Sequence, residues 1–189
     1  MIHFLKQHRG ARKAFTFLIF FLLFHGVCLA IIGLGSPPGF YLPFVHKNLD
    51  FISVLRYINL HGAALLLACF SISAKVSHYS ITIANGNAVR MVYSCLGYGL
   101  ISFWWAFVIS LDFRPLQKLC FILAGTLLII ACNIIRISVL AALLRHNKLP
   151  TIVEHHLFYN CIMYFILALA ATLIYHKQKK PPLFPTPLH

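Results

Sequence analysis

The chain has 189 residues, 60% hydrophobic and 10% charged, with three acidic residues against sixteen Lys and Arg and a formal charge of +13. So little charge cannot clothe a water-exposed surface, which excludes a soluble globular domain and with it a basic face for nucleic acid. A mean hydropathy of +0.84 marks a polytopic membrane protein instead, with the cations gathered at segment ends as topology signals and contacts for anionic lipid headgroups.

Residues 1–13 carry four Lys and Arg and lead into an apolar run over residues 14–34. That run is longer than the apolar core of a signal peptide and has spanning length, so an uncleaved first helix with a cytoplasmic N-terminus is expected. Three prolines in residues 36–48 predict a loop. Residues 50–73 resemble a second span, but Asp50, Arg56, Asn59 and His61 fall in its first half. Ionisable groups inside a span are costly without partners, so a helix lying at or dipping into the outer face is preferred to a crossing.

Residues 79–83 and 88–92 are β-prone arms around Asn85-Gly86-Asn87, the signature of a small hairpin. Residues 91–111 contain no ionisable side chain apart from thiol and phenol and read as a span. Residues 112–118 form a turn, and a further span runs from residue 119 through Arg136 to 144. Residues 145–154, with Pro150, form a loop; residues 157–175 form the last span. The tail, residues 176–189, is basic and then proline-rich, and is expected to be cytoplasmic and disordered.

With both termini inside, the number of crossings is even. The expected fold is an all-α polytopic membrane protein with four transmembrane helices, or five if residues 50–73 cross. An outer-face interfacial helix and the β-hairpin complete it. Residues 1–175 form a single membrane-embedded domain, with its core at about 50–175. Cys95, Arg136 and His156 then share the outer face. Arg136 lies 17 residues beyond residue 119, about 26 Å along a helix and so near the outer edge of a ~30 Å hydrocarbon core.

The six cysteines form no CxxC pair and the eleven histidines no HExxH, which argues against zinc and redox sites, so no metal is expected. Cys95 is placed at a helix start, where the helix terminus and a nearby cation favour thiolate and make it a nucleophile. His156 is suited to carry the thiol proton to a leaving amine. Arg136 is suited to hold an oxyanion or orient a carbonyl, with Asn133 three residues earlier on the same helix face. Plainer readings stand beside these. Cys95 can be a packing residue, Arg136 can snorkel to the interface, and Cys132, one turn from Arg136, is another thiol. Trp104 and Trp105 are read as packing or lipid-facing, and Gly97 with Gly99 as sites of close helix approach.

Asn85-Gly86, Cys95-Leu96-Gly97, Asn133-Ile134-Ile135-Arg136 and His156-Leu157-Phe158-Tyr159 together resemble the exosortase/archaeosortase family of membrane-embedded cysteine transpeptidases, in order and over residues 50–175. Leu96 stands where many members have serine, and His155 where many have aspartate before the histidine. Glu154 or His155 would then have to orient the base; His155 and His156 both stand as candidates for it, with His156 favoured by its spacing to Tyr159. The chain also lacks the extra N-terminal helices of larger members. The resemblance implies substrates that are exported proteins with a C-terminal sorting signal: a motif, a transmembrane helix and a basic tail. It implies cleavage at the outer face of the cytoplasmic (inner) membrane, a thioester on Cys95, and transfer to an amine acceptor on a lipid or glycan. No cofactor is implied. The rival readings are a non-catalytic transporter subunit or assembly scaffold, and a membrane acyltransferase.

Overall fold

The computed structural model describes residues 2–35, 44, 50–83, 88–145 and 152–179; the side chains of 2–9, 94, 144–145, 152–160 and 175–179 lie outside that description. In chain order the elements are α1 (Ile2–Gly35), α2 (Phe51–Cys69), β1 (Ala74–Val76), β2 (Ser80–Ile83), β3 (Ala88–Arg90), a 3-10 turn (Tyr93–Cys95), α3 (Tyr98–Ser110), α4 (Pro115–Arg145) and α5 (Ile152–Lys179).

Among the described residues, three helical stretches are long and apolar enough to cross a membrane: Gly10–Gly35, Phe51–Cys69 and Pro115–Leu143. They make this a helical membrane protein. In α1 the apolar residues go all the way round, and Phe15, Leu18, Leu22 and Leu23 are exposed. An exposed apolar surface of that kind suits lipid, where the helix satisfies its own backbone hydrogen bonds.

Helix α2 is different because it has one buried stripe. Ile52, Arg56, Asn59, Leu60, Ala63 and Leu67 recur at helical spacing on its inner face, while Val54, Tyr57 and Leu65 are exposed. The Asp50 carboxylate caps its start by accepting from the Ser53 N–H at 2.9 Å. Its end is a Schellman closure, with Ile72 N–H donating to Leu67 O at 3.0 Å and Ser71 N–H to Ala68 O at 2.9 Å. Ser71 takes the left-handed position, at φ +58°, that glycine usually fills. Small residues bring α2 against α4. A Cβ on Gly62 would come within 2.5 Å of Ile134 Cδ1, and Ser138 Oγ donates across to Ala63 O at 3.3 Å.

The expected hairpin is the second half of a three-stranded antiparallel sheet, order β1-β2-β3. Ala74 pairs with Ile83 and Val76 with Ile81, and on the other side Ser80 pairs with Arg90 and Thr82 with Ala88. Strand β1 is the addition. The Asn85-Gly86 turn lies outside the described residues. Ile81 and Ile83 alternate inward from β2 and are buried.

The apolar run at 91–111 is helical only over Tyr98–Ser110, 13 residues or about 20 Å. Helix α4 starts at Pro115, earlier than expected, with proline at the first helical position where its missing N–H costs nothing. Helix α5 begins at Ile152 rather than 157 and runs to Lys179, so residues 176–179 of the expected tail are helical; 180–189 lie outside the described residues.

Helices α1 and α3 pack antiparallel. At one end Lys13 Nζ meets the Asp112 carboxylate at 2.7 Å; at the other the His25 ring stacks on Tyr98, centroids 5.7 Å apart. The Lys13 contact ties the basic N-terminal flank to the turn before α4, the pairing expected if both face one side of the membrane.

Two apolar clusters result. The first joins Ile52, Leu60, Ala63 and Leu67 of α2 to Ile81, Ile83, Met91, Leu96, Ile137 and Ala141. The second joins Trp104 and Val108 to Ile129, Met163 and Leu167. In the second, the Trp104 indole lies directly on Gly125, where any Cβ would overlap it. Trp104 Nε1 donates to Phe121 O at 2.8 Å, which removes a donor that lipid could not satisfy. Trp105, facing outward, donates to Thr126 Oγ1 at 2.9 Å.

Candidate active site

The segment between β3 and α3 sits where the two clusters meet. It forms one 3-10 turn over Tyr93–Cys95, with Cys95 N–H donating to Val92 O at 2.9 Å. Leu96 is buried in the first cluster. Gly97 caps α3 in the left-handed region, at φ +79°. Only glycine takes that conformation without strain. A Cβ there would also lie 2.5 Å from Asn133 Nδ2, so the same residue permits both the turn and the approach of α4.

Cys95 therefore closes the 3-10 turn and precedes the N-cap of α3, rather than opening the helix as the sequence reading has it. A helix-terminus effect on the thiol does not follow from this position. The charged neighbour does: Arg136 Nη2 donates toward Cys95 Sγ at 3.8 Å. Arg136 is 8% exposed and Asn133 3%. The two are one turn apart on α4 and face the same way. Asn133 Nδ2 is buried and has no hydrogen-bond partner among the described residues.

Gly97, Asn133 and Arg136 line a cavity of about 160 Å³ together with His25 of α1, Tyr98 of α3, and Met163 and Tyr164 of α5; Cys95 is not on that wall and meets it through its contact with Arg136. Four helical elements thus contribute to one polar pocket inside an apolar bundle. A buried amide donor without an acceptor and a guanidinium beside a thiol form an arrangement that can receive an oxyanion made at that sulfur.

Of the residues expected from sequence, Cys95, Gly97, Asn133 and Arg136 come together. The backbone of Glu154, His155, His156 and Tyr159 lies in the first turns of α5, and their side chains lie outside the described residues. His156 precedes Met163 by seven residues, two turns or about 10 Å nearer the helix start and in register with a residue of the cavity wall. Cys132 packs against the second cluster and is not part of the cavity wall. His25 is the residue sequence reasoning missed. Its Nδ1 is buried without a partner among the described residues. A histidine in the middle of an apolar span was the available signal.

No protein-family model, curated protein or solved structure matches the chain.

Proposed function

We propose that the chain is a membrane-embedded cysteine transpeptidase of the exosortase/archaeosortase kind, which cleaves C-terminal sorting signals of exported proteins and passes the product to an amine. The observation that carries the reading is the 3.8 Å approach of the Arg136 guanidinium to Cys95 Sγ, with Arg136 itself on the wall of a polar cavity. A buried arginine in an apolar bundle is expensive, and a nucleophilic sulfur with an acyl intermediate gives it a purpose.

In this mechanism Cys95 Sγ attacks the carbonyl carbon of the scissile peptide bond. The oxyanion is held by Arg136 and the unpaired Nδ2 of Asn133. The C–N bond then breaks, and the amine leaves with the proton taken from the thiol and carried by His156. The acyl group remains as a thioester on Cys95. An acceptor amine on a lipid or glycan attacks that thioester, an amide forms, and the thiol regains its proton.

The topology in this reading has four crossings, α1, α3, α4 and α5, with α2 lying at the outer face of the cytoplasmic membrane. The distribution of α2 residues supports it. Both ends of α2, Ile52 and Leu67, belong to the cluster built with the sheet and Leu96, and none belongs to the cluster around Trp104. A helix crossing beside α4 would contribute to both. With α3 crossing, its ~20 Å length is shorter than a ~30 Å hydrocarbon core, and in this reading Cys95 lies just inside the outer edge, within reach of a bond at the end of a substrate helix.

The test is processing of a co-expressed substrate bearing a sorting signal. The Cys95→Ala protein should leave it uncleaved, and full processing by that variant would refute the reading. The same assay with a lipid thioester donor distinguishes an acyltransferase, which would use similar residues.

A further inference from the structure

A second buried arginine is not used by this mechanism. Arg56, on the inner face of α2, is 6% exposed. Its Nε has no partner, and among the described residues its guanidinium makes neither a hydrogen bond nor an ion pair. What it does have is aromatic: the guanidinium carbon lies 4.5 Å from the Tyr79 ring centroid and 5.9 Å from that of Tyr93. Stacking of that kind uses the faces of the guanidinium and leaves its in-plane N–H donors unspent. A desolvated cation with unspent donors is costly unless an anion completes it.

Space for that anion lies beside it. Arg56 lines a cavity of about 520 Å³ between α2 and the β1–β2 connection, and His61, Ser77 and His78 add further polar groups to its wall; Ser53 is also on the wall, but its hydroxyl donates to the Asp50 carboxylate. Val54, Leu60 and Val76 supply apolar wall. Val54 and Tyr57, on the lining, also belong to the exposed apolar face of α2. Arg56 and Leu60 are thus the buried part of the wall, while Val54, Tyr57, His61, Ser77 and His78 make an exposed rim of mixed character.

We infer that this cavity binds the phosphate group of a membrane phospholipid, with Arg56 as its anchor. A phosphate accepts from more directions than a carboxylate, which suits a fork flanked by the Ser77 hydroxyl and two imidazoles. Val54 and Tyr57, exposed on the wall and continuous with the outer apolar face of α2, favour a lipid over free phosphate as the source. The inference requires only that the chain sit in a membrane and is independent of the chemistry at Cys95.

The experiment uses the full chain purified in an uncharged detergent, with dihexanoyl phosphatidylglycerol as probe and native mass spectrometry as readout. Saturable binding of the probe is expected, and dihexanoylglycerol, which lacks the phosphate, should not compete. Arg56→Gln should weaken binding about tenfold or more, the loss of one charge-assisted contact. His61→Glu changes an exposed residue, keeps the buried arginine, and places a carboxylate on the cavity wall; it should weaken binding to a similar degree. Undiminished binding by a folded Arg56→Gln protein, or by His61→Glu, overturns the assignment. Inorganic phosphate that competes as well as the lipid overturns the lipid source, and an acidic peptide that displaces the probe at equal concentration overturns the phosphate.

Discussion

Replacement of Gly97 by alanine separates the geometry of the site from its chemistry, because no reacting group is removed. Two costs are legible in the structure. The backbone stands at φ +79°, and holding an L-residue there costs roughly 1–2 kcal/mol. The new Cβ would lie 2.5 Å from Asn133 Nδ2, closer than real Cβ contacts, so the amide or the turn must shift by several tenths of an ångström. The first cost acts on stability and the second on the position of an oxyanion donor relative to Cys95. Misplacement of a catalytic group by ~1 Å can cost about 100-fold in rate. Gly97→Ala should therefore lose roughly 1–2 kcal/mol of stability in detergent unfolding while processing falls by about 10- to 100-fold. Adding Asn133→Ala removes the clash but not the strain. Relative to Asn133→Ala alone, the further loss of processing should then be small, a coupling that a double-mutant cycle measures. Wild-type stability and processing in Gly97→Ala would refute both the backbone assignment and the role given to the approach of Asn133.

Other outcomes follow from the same geometry. Arg136→Lys keeps the charge but not the planar fork beside Cys95 Sγ, so turnover should fall by about tenfold or more; unchanged turnover would remove Arg136 from the reaction. Among the histidines, His156→Ala should abolish processing and His155→Ala should retain part of it. Processing by His156→Ala that is lost only on adding His25→Ala would transfer the proton-carrying role to His25. Single cysteines at Lys13 and Asp112, each in a chain free of other reactive thiols, should be labelled from the same side of the membrane, because the native pair is in contact at 2.7 Å. Labelling from opposite sides would contradict the packing of α1 on α3.

Much of the fold was legible because hydropathy reports transfer into lipid directly. The apolar runs at 14–34 and 119–144 fall within α1 and α4. Hydropathy does not report backbone conformation. The seven residues before Tyr98 are apolar enough to extend a span, yet they follow directly on the sheet and contain a 3-10 turn and a left-handed glycine. Strand β1 was invisible for a related reason. Ala74-Lys75-Val76 is too short to show alternation, and it is held by pairing with β2 rather than by its own propensity.

In the site, counting residues along α4 was enough to bring Arg136 to the level of Cys95, since a helix fixes 1.5 Å per residue. Counting could not reveal which face Gly97 turns to Asn133, nor that α1 delivers His25 to the same cavity. Those depend on how separate helices rotate against one another. Arg56 illustrates the same boundary. The sequence marked it as a charge that is costly without a partner, and only the fold shows that its neighbours are tyrosine rings.

The central claim is that Cys95 carries an acyl intermediate. It is tested most directly by trapping the full chain with a sorting-signal substrate, quenching in acid, and identifying by mass spectrometry what is bonded to each cysteine. The account predicts the N-terminal product of the substrate as a thioester on Cys95 and on no other cysteine, absent from Cys95→Ala and labile to hydroxylamine. A processed substrate with no adduct at Cys95, or with the adduct on Cys132, would contradict it.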